Sequence, residues 1–247
     1  MGISSGALPL LIREGLRRPF KGSVLTLGKQ DAEFTIHELY SHADRAALPI
    51  ERGLPEQLSL KSDLAEKRFV SDEFVFKTLG FNQVTAVDVN DFEGAEMLHD
   101  LNQAPPPSKT FELFDFIFDG GTLEHIYHIP NALECIFSWL CVNGRVLHLS
   151  PSSNTVDHGF YSFSPTFFYD YYSANNFEIN CQVLIKFQNS PNNNLWWYCD
   201  YTPGCLDQLG IGGLDSDVYF TSIIATKLEI STCNRIPQQG YYKKLYS

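Results

Sequence analysis

No apolar run in this 247-residue chain approaches the roughly 20 residues needed to cross a bilayer, so no membrane-spanning helix is expected. The apolar part of the first sixteen residues is too short and too soon interrupted for a secretory signal. Cysteine spacing is equally bare. Cys135, Cys141, Cys181, Cys199, Cys205 and Cys233 include no CxxC pair, and several lie in apolar runs. That pattern suits reduced thiols in a cytoplasmic protein, and no metal centre is expected from it. Basic charge is scarce, with 18 Lys and Arg against 29 Asp and Glu, for a net charge of -11. Such a field repels a phosphate-rich polymer, which argues against nucleic acid as a partner. The single basic cluster, Arg13, Arg17, Arg18 and Lys21, reads as a solvated helix face. No Gly-x-Gly-x-x-Gly follows the first strand, which disfavours a nicotinamide dehydrogenase.

What is present is an ordinary globular balance, with 44% hydrophobic and 19% charged residues. The length fits one domain over residues 1–247, with a core over about 22–230. Residues 44–70 mix Pro49, Gly53 and Pro55 with charges and read as an inserted lid, and the C-terminal tail reads as peripheral. Apolar and β-branched runs predict strands at residues 23–27, 83–87, 95–99, 114–118, 145–149, 177–187 and 217–229. Helical patterns fall near residues 33–42 and 164–175. A third, with Ile126, Ile129, Leu133, Ile136, Phe137 and Leu140 at helical spacing, is closed by Asn143-Gly144. Strands alternating with helices predict an α/β fold: a doubly wound, mostly parallel, seven-stranded sheet with helices on both faces.

In such sheets ligands settle beyond the carboxyl ends of the strands. Gly28 ends the first strand, where a missing Cβ lets a ligand approach the backbone. Asp88 ends the second, placed to accept hydrogen bonds from ribose hydroxyls, and Asp100 follows the third. Asp119-Gly120-Gly121 ends the fourth. A lone Asp at a strand end is commonly a turn or cap; four successive strand ends of this kind point to a ligand.

The stretch Phe114-Asp115-Phe116-Ile117-Phe118-Asp119-Gly120-Gly121-Thr122-Leu123-Glu124-His125-Ile126 resembles the fourth motif of the class I S-adenosylmethionine-dependent methyltransferases, with its Leu-Glu-His after the strand. Val24-Leu25-Thr26-Leu27-Gly28 stands where that family has its glycine-rich first motif, and Asn143 to Pro151 is similar to its fifth strand and preceding turn. His158 to Pro165 resembles a segment of some bacterial members. The resemblance, over residues 22–187, implies a Rossmann-like methyltransferase fold with S-adenosylmethionine as cofactor. It would set Gly28 at the methionine part, Asp88 on the ribose, Asp100 and Leu101 beside the adenine, and Asp119 and Gly120 at the methionine amino end. Thr26 replaces the usual acid of the first motif, and Lys29-Gln30 stands where a glycine is usual. Lys29 and Gln30 are therefore read as cofactor contacts at its carboxylate and amino group.

Transfer of an activated methyl asks mainly for alignment and exclusion of water. A hydroxyl or amine acceptor also needs a base near neutral pKa, which suits histidine. His125, after the fourth strand, and His158, on a loop after the fifth, are the candidates for catalysis. His148, inside the fifth strand, reads as a satisfied core histidine, and His125 with His128 lacks a third metal ligand. Tyr161 and Phe163 on the His158 loop, with Trp197 of Trp196-Trp197-Tyr198, are the candidate acceptor contacts. The Trp-Trp-Tyr run follows a polar loop at residues 189–194, and it suits an acceptor pocket, stacking on a cation or sugar, or a homodimer contact equally well. The expected function is methyl transfer to a small molecule such as a sugar or secondary-metabolite intermediate. The alternatives are a degenerate, non-catalytic methyltransferase fold and a non-methylating S-adenosylmethionine enzyme.

Overall fold

The computed structural model describes residues 2–106, 112–188, 196–240 and 242, and the chain divides into two compact units, Met1–His99 and Asp100–Ser247. The loop at residues 189–194, part of the proline loop at 103–107 and most of the tail beyond 240 lie outside the described residues.

In chain order the first unit contains β1 (Ile3–Ser4), α1 (Leu8–Arg17), β2 (Ser23–Leu27), β3 (Asp31–Thr35) and α2 (Ile36–Ala46). It continues with α3 (Ser62–Glu66), β4 (Phe69–Ser71), α4 (Asp72–Leu79), β5 (Gln83–Asp88) and β6 (Met97–Leu98). β5 pairs in parallel with β2 on one side and β6 on the other. Val24, Leu25 and Leu27 of β2 are fully buried, the pattern of a parallel strand covered on both faces. Residues 31–35 correct the expected helix near 33–42: they are extended and pair with β1 and β4 in a second, three-stranded sheet. The helix begins only at Ile36, because Thr35 and Glu38 form a reciprocal capping box. The end of residues 44–70, read as a lid, is thus tied into that sheet through β4. Of the basic cluster, Arg13 and Arg17 are exposed on α1 and Lys21 is exposed beyond it, whereas Arg18, just past the helix end, is half-buried; Arg17 forms a bidentate pair with the buried Glu14.

The second unit contains β7 (Phe114–Asp119), a 3₁₀ turn (Leu123–His125), α5 (Ile129–Trp139), β8 (Leu140–Ser153) and α6 (Pro165–Ala174). β9 (Glu178–Phe187), β10 (Trp196–Asp200) and β11 (Val218–Thr226) follow. Their spatial order is β7-β8-β11-β9-β10. β7 and β8 are parallel, and β11 runs antiparallel to both β8 and β9, so β9 points the same way as β7 and β8. All seven expected strands are present, as β2, β5, β6, β7, β8, β9 and β11, and the fold is α/β. β10 was not among them; it hydrogen-bonds along β9 and leaves Trp197 and Tyr198 exposed.

Two boundaries differ from the pattern reading. The expected continuous helix through Ile126 is a 3₁₀ turn, a break, and then α5, whose start Pro130 fixes because proline suits the first helical turn. α5 ends at Trp139 rather than at Asn143-Gly144, and β8 begins at once. The buried Lys227 makes that abrupt stop tolerable: its ammonium donates to the carbonyls of Phe137 (2.9 Å) and Leu140 (2.8 Å). The core of this unit is aromatic, with Trp139, Phe116, Phe118, Phe168 and Tyr172 all below 2% exposed. Burial of each such side chain contributes roughly 1.5–3 kcal/mol.

Candidate active site

In the first unit the strand ends carry two of the expected cofactor residues. Gly28 adopts φ 71°, a conformation that glycine takes without strain, and its N–H donates to the Val87 carbonyl at 2.8 Å. Asp88 is half-buried, and its Oδ1 accepts from the Val89 N–H at 2.6 Å. A cleft of about 620 Å³ lies in this unit, lined by Lys29, Gln30, Lys61, Asp72, Phe92 and Gly94 among others. Lys29 and Gln30 reach it already engaged. Lys29 Nζ lies 3.5 Å from the buried Asp72 carboxylate. The Gln30 amide donates to the Leu27 and Gly28 carbonyls at 2.7 and 3.2 Å. Burial raises the Asp72 pKa, and the Lys29 ammonium opposes that rise.

In the second unit the end of β7 is turned inward. The Asp119 carboxylate is fully buried, accepting from the Thr122 and Leu123 N–H groups with Oδ1 and lying 2.7 Å from His148 Nδ1 with Oδ2. His148 Nε2 lies 2.6 Å from the Tyr172 hydroxyl, and the imidazole stacks on Phe168 at 4.8 Å. With Asp119 as acceptor, Nδ1 carries a proton, and the Tyr172 O–H can donate to Nε2. His148 is therefore the satisfied core histidine expected. The same geometry corrects the reading of the Asp119 side chain as a cofactor contact, because its oxygens are committed inside the fold. Gly120 is buried beside it. Asp100 caps its own turn, accepting from the Asn102 N–H and side-chain amide at 2.9 Å. Leu101, assigned to the adenine, is only 5% exposed and packs as core.

Both candidate catalytic histidines lie on the surface of this unit, and they meet. Their ring centroids are 5.2 Å apart. His125 ends the 3₁₀ turn, and its partner is His158, not His128, whose backbone N–H instead donates to Asn102 Oδ1. Between them lies a residue the pattern reading left without a role. Glu124 is fully buried, neither carboxylate oxygen has a hydrogen-bond partner, and Oε1 is 3.5 Å from His158 Nε2. Burial, reinforced by the Asp119 carboxylate, raises the Glu124 pKa to about 8. Burial and the neighbouring His158 lower that of His125. A buried carboxyl with a raised pKa in one cluster with a histidine whose pKa is lowered is a pairing suited to proton transfer.

The loop carrying His158 is fixed to this turn. The Glu124 carbonyl accepts from the Phe160 N–H at 2.7 Å and the Tyr161 N–H at 3.2 Å. The Tyr161 hydroxyl donates to the Tyr127 carbonyl at 2.8 Å. Gly159 permits the approach, since a Cβ there would lie 2.8 Å from the Glu124 carbonyl oxygen. Tyr161 stays half-buried against Phe163. Phe163 itself is 3% exposed and packs on Phe167 and Phe168. Trp197 is exposed on β10 with Lys186 Nζ 5.7 Å from its ring.

No family model matches the chain, and no curated protein matches it. Solved structures do. The YcgJ protein of Bacillus subtilis is 12% identical over 90% of this chain and 98% of its own, with a TM-score of 0.45. An S-adenosylmethionine-dependent methyltransferase from Archaeoglobus fulgidus is 11% identical over 89% and 94%, at 0.42. A geranyl diphosphate methyltransferase, solved with S-adenosylmethionine, is 10% identical over 91% and 85%, at 0.43. Among the described residues no helix is long and apolar enough to cross a membrane.

Proposed function

We propose that the protein transfers a methyl group from S-adenosylmethionine to a hydroxyl or amine of a small molecule. The observation that carries this reading is the Glu124–His125–His158 cluster, built on the Leu-Glu-His of the motif that resembles the methyltransferases. Gly28, Asp88 and Gly120 are assigned to the cofactor by that resemblance, the first two at strand ends, and only Oδ1 of the Asp88 carboxylate is engaged, by the Val89 N–H. Methyl transfer leaves a proton to be removed from the acceptor. His125, with its lowered pKa, is the group to take it, and Glu124 and His158 adjoin it for relay. A cytoplasmic location and a small-molecule acceptor remain part of the proposal.

One observation favours a non-catalytic binding role instead: Lys29 and Gln30, assigned to the cofactor, are engaged with Asp72 and with backbone carbonyls. A calorimetric titration of the full chain with S-adenosylmethionine and S-adenosylhomocysteine separates the two. Micromolar binding, weakened about tenfold or more by Asp88→Ala, is the expected outcome. Absence of binding to well-folded wild type would remove the enzyme reading.

A further inference from the structure

We infer that Glu124, His125 and His158 form a binding site for one divalent transition-metal cation of the zinc type. One ligand atom from each of the three residues lies within 4.8 Å of the others. A tetrahedral zinc ion sits about 2.1 Å from each ligand, which sets neighbouring ligand atoms about 3.4 Å apart. Glu124 Oε1 and His158 Nε2, at 3.5 Å, already have that separation. The His125 side chain is exposed, and its ligand nitrogen lies within 4.8 Å of the other two ligand atoms.

The independent observation is the carboxylate. Glu124 is fully buried, yet neither of its oxygens has a hydrogen-bond partner, and Oε1 is directed at His158. An unpartnered buried carboxyl costs the fold its desolvation, and buried acids persist when they are paired or coordinate a metal. A cation at this position supplies the missing partner. Two imidazoles and one carboxylate are a borderline-soft set, suited to zinc and its first-row neighbours rather than to magnesium or calcium.

The site is also held in place by backbone rather than by side chains alone. The hydrogen bonds from Phe160 and Tyr161 to the Glu124 carbonyl, and the contact allowed by Gly159, hold the two segments that supply the ligands. Three protein ligands leave a fourth position for water or an acceptor oxygen, the arrangement of a reactive rather than a purely structural zinc site. With the cation bound, the histidine lone pairs are committed and the cation eases loss of the acceptor proton. The inference does not depend on the cofactor, because the cation is titrated without it. Failure of one reading therefore leaves the other standing.

The test is a titration of the chelator-stripped full chain with zinc chloride against a chromophoric zinc chelator, repeated with cobalt(II) to read tetrahedral absorption bands. One zinc per chain is expected, weakened about tenfold or more by His125→Ala and by His158→Ala, and unchanged by His128→Ala. Both ligand histidines are exposed, so these variants keep the fold even if Glu124→Gln does not. Stoichiometric binding that survives both histidine variants, binding that follows Cys199→Ser with Cys205→Ser, or no saturable binding at all would overturn the site.

Discussion

Glu124→Gln offers a quantitative check on the buried carboxyl, made in the presence of a chelator. The side chain titrates at about 8 in the fold against 4.5 for the free group. Between those values the folded chain holds one proton more than the unfolded chain. Stability contributed by the protonated form is therefore complete at low pH and is lost as pH rises, by at most about 1.4 kcal/mol per pH unit. Between pH 5 and pH 8 the loss attributable to this one group is about 3 kcal/mol. Glutamine keeps the shape and cannot ionise, so the variant escapes the loss. Urea unfolding of both proteins at four pH values across that range gives the difference directly, and other titrating groups cancel in it. Stability of the variant relative to wild type should climb by about 3 kcal/mol from pH 5 to pH 8. A difference constant to within about 1 kcal/mol would refute the assignment of a buried, high-pKa carboxyl.

Tyr172→Phe removes the partner of a fully buried imidazole nitrogen and should cost about 1–3 kcal/mol by urea unfolding, with zinc affinity unchanged. Lys29→Met leaves the buried Asp72 with less compensation, so its pKa moves further up. That variant should lose stability at pH 8 and regain most of it near pH 5, read from thermal melts at the two values.

Strand positions were open to sequence reasoning because most apolar runs here are short, rich in β-branched or aromatic residues, and bounded by Gly, Asp or Pro. β2, residues 23–27, was read at its exact ends for that reason. α5 was not, because helical spacing of apolar residues continues across Ile126 while the chain itself breaks at His128-Ile129-Pro130. Its end depends on Lys227, almost ninety residues away, and no local signal announces such a cap. The candidate site shows the same limit. His125 and His158 were legible as histidines on ligand-bearing segments, but their pairing is tertiary. Glu124 stood in the most specific motif of the chain and was passed over, since a glutamate after a strand looks solvated until its burial is seen. Asp119 misled in the opposite direction, because a strand-end aspartate reads as outward-facing whether or not a core histidine such as His148 claims it.

β11 lies between β8 and β9, although it follows both in the chain. During synthesis, β8 and β9 therefore leave the ribosome with facing edges that cannot yet be closed. Their backbone groups wait for residues 218–226, which supply partners to both at once. A nascent or truncated chain ending before Val218 presents two unpaired edges, the condition under which strands recruit other chains. Sheet closure in this unit thus waits for the last-made of its strands, and a frameshift or proteolytic cut near residue 210 should yield aggregate rather than a smaller soluble protein.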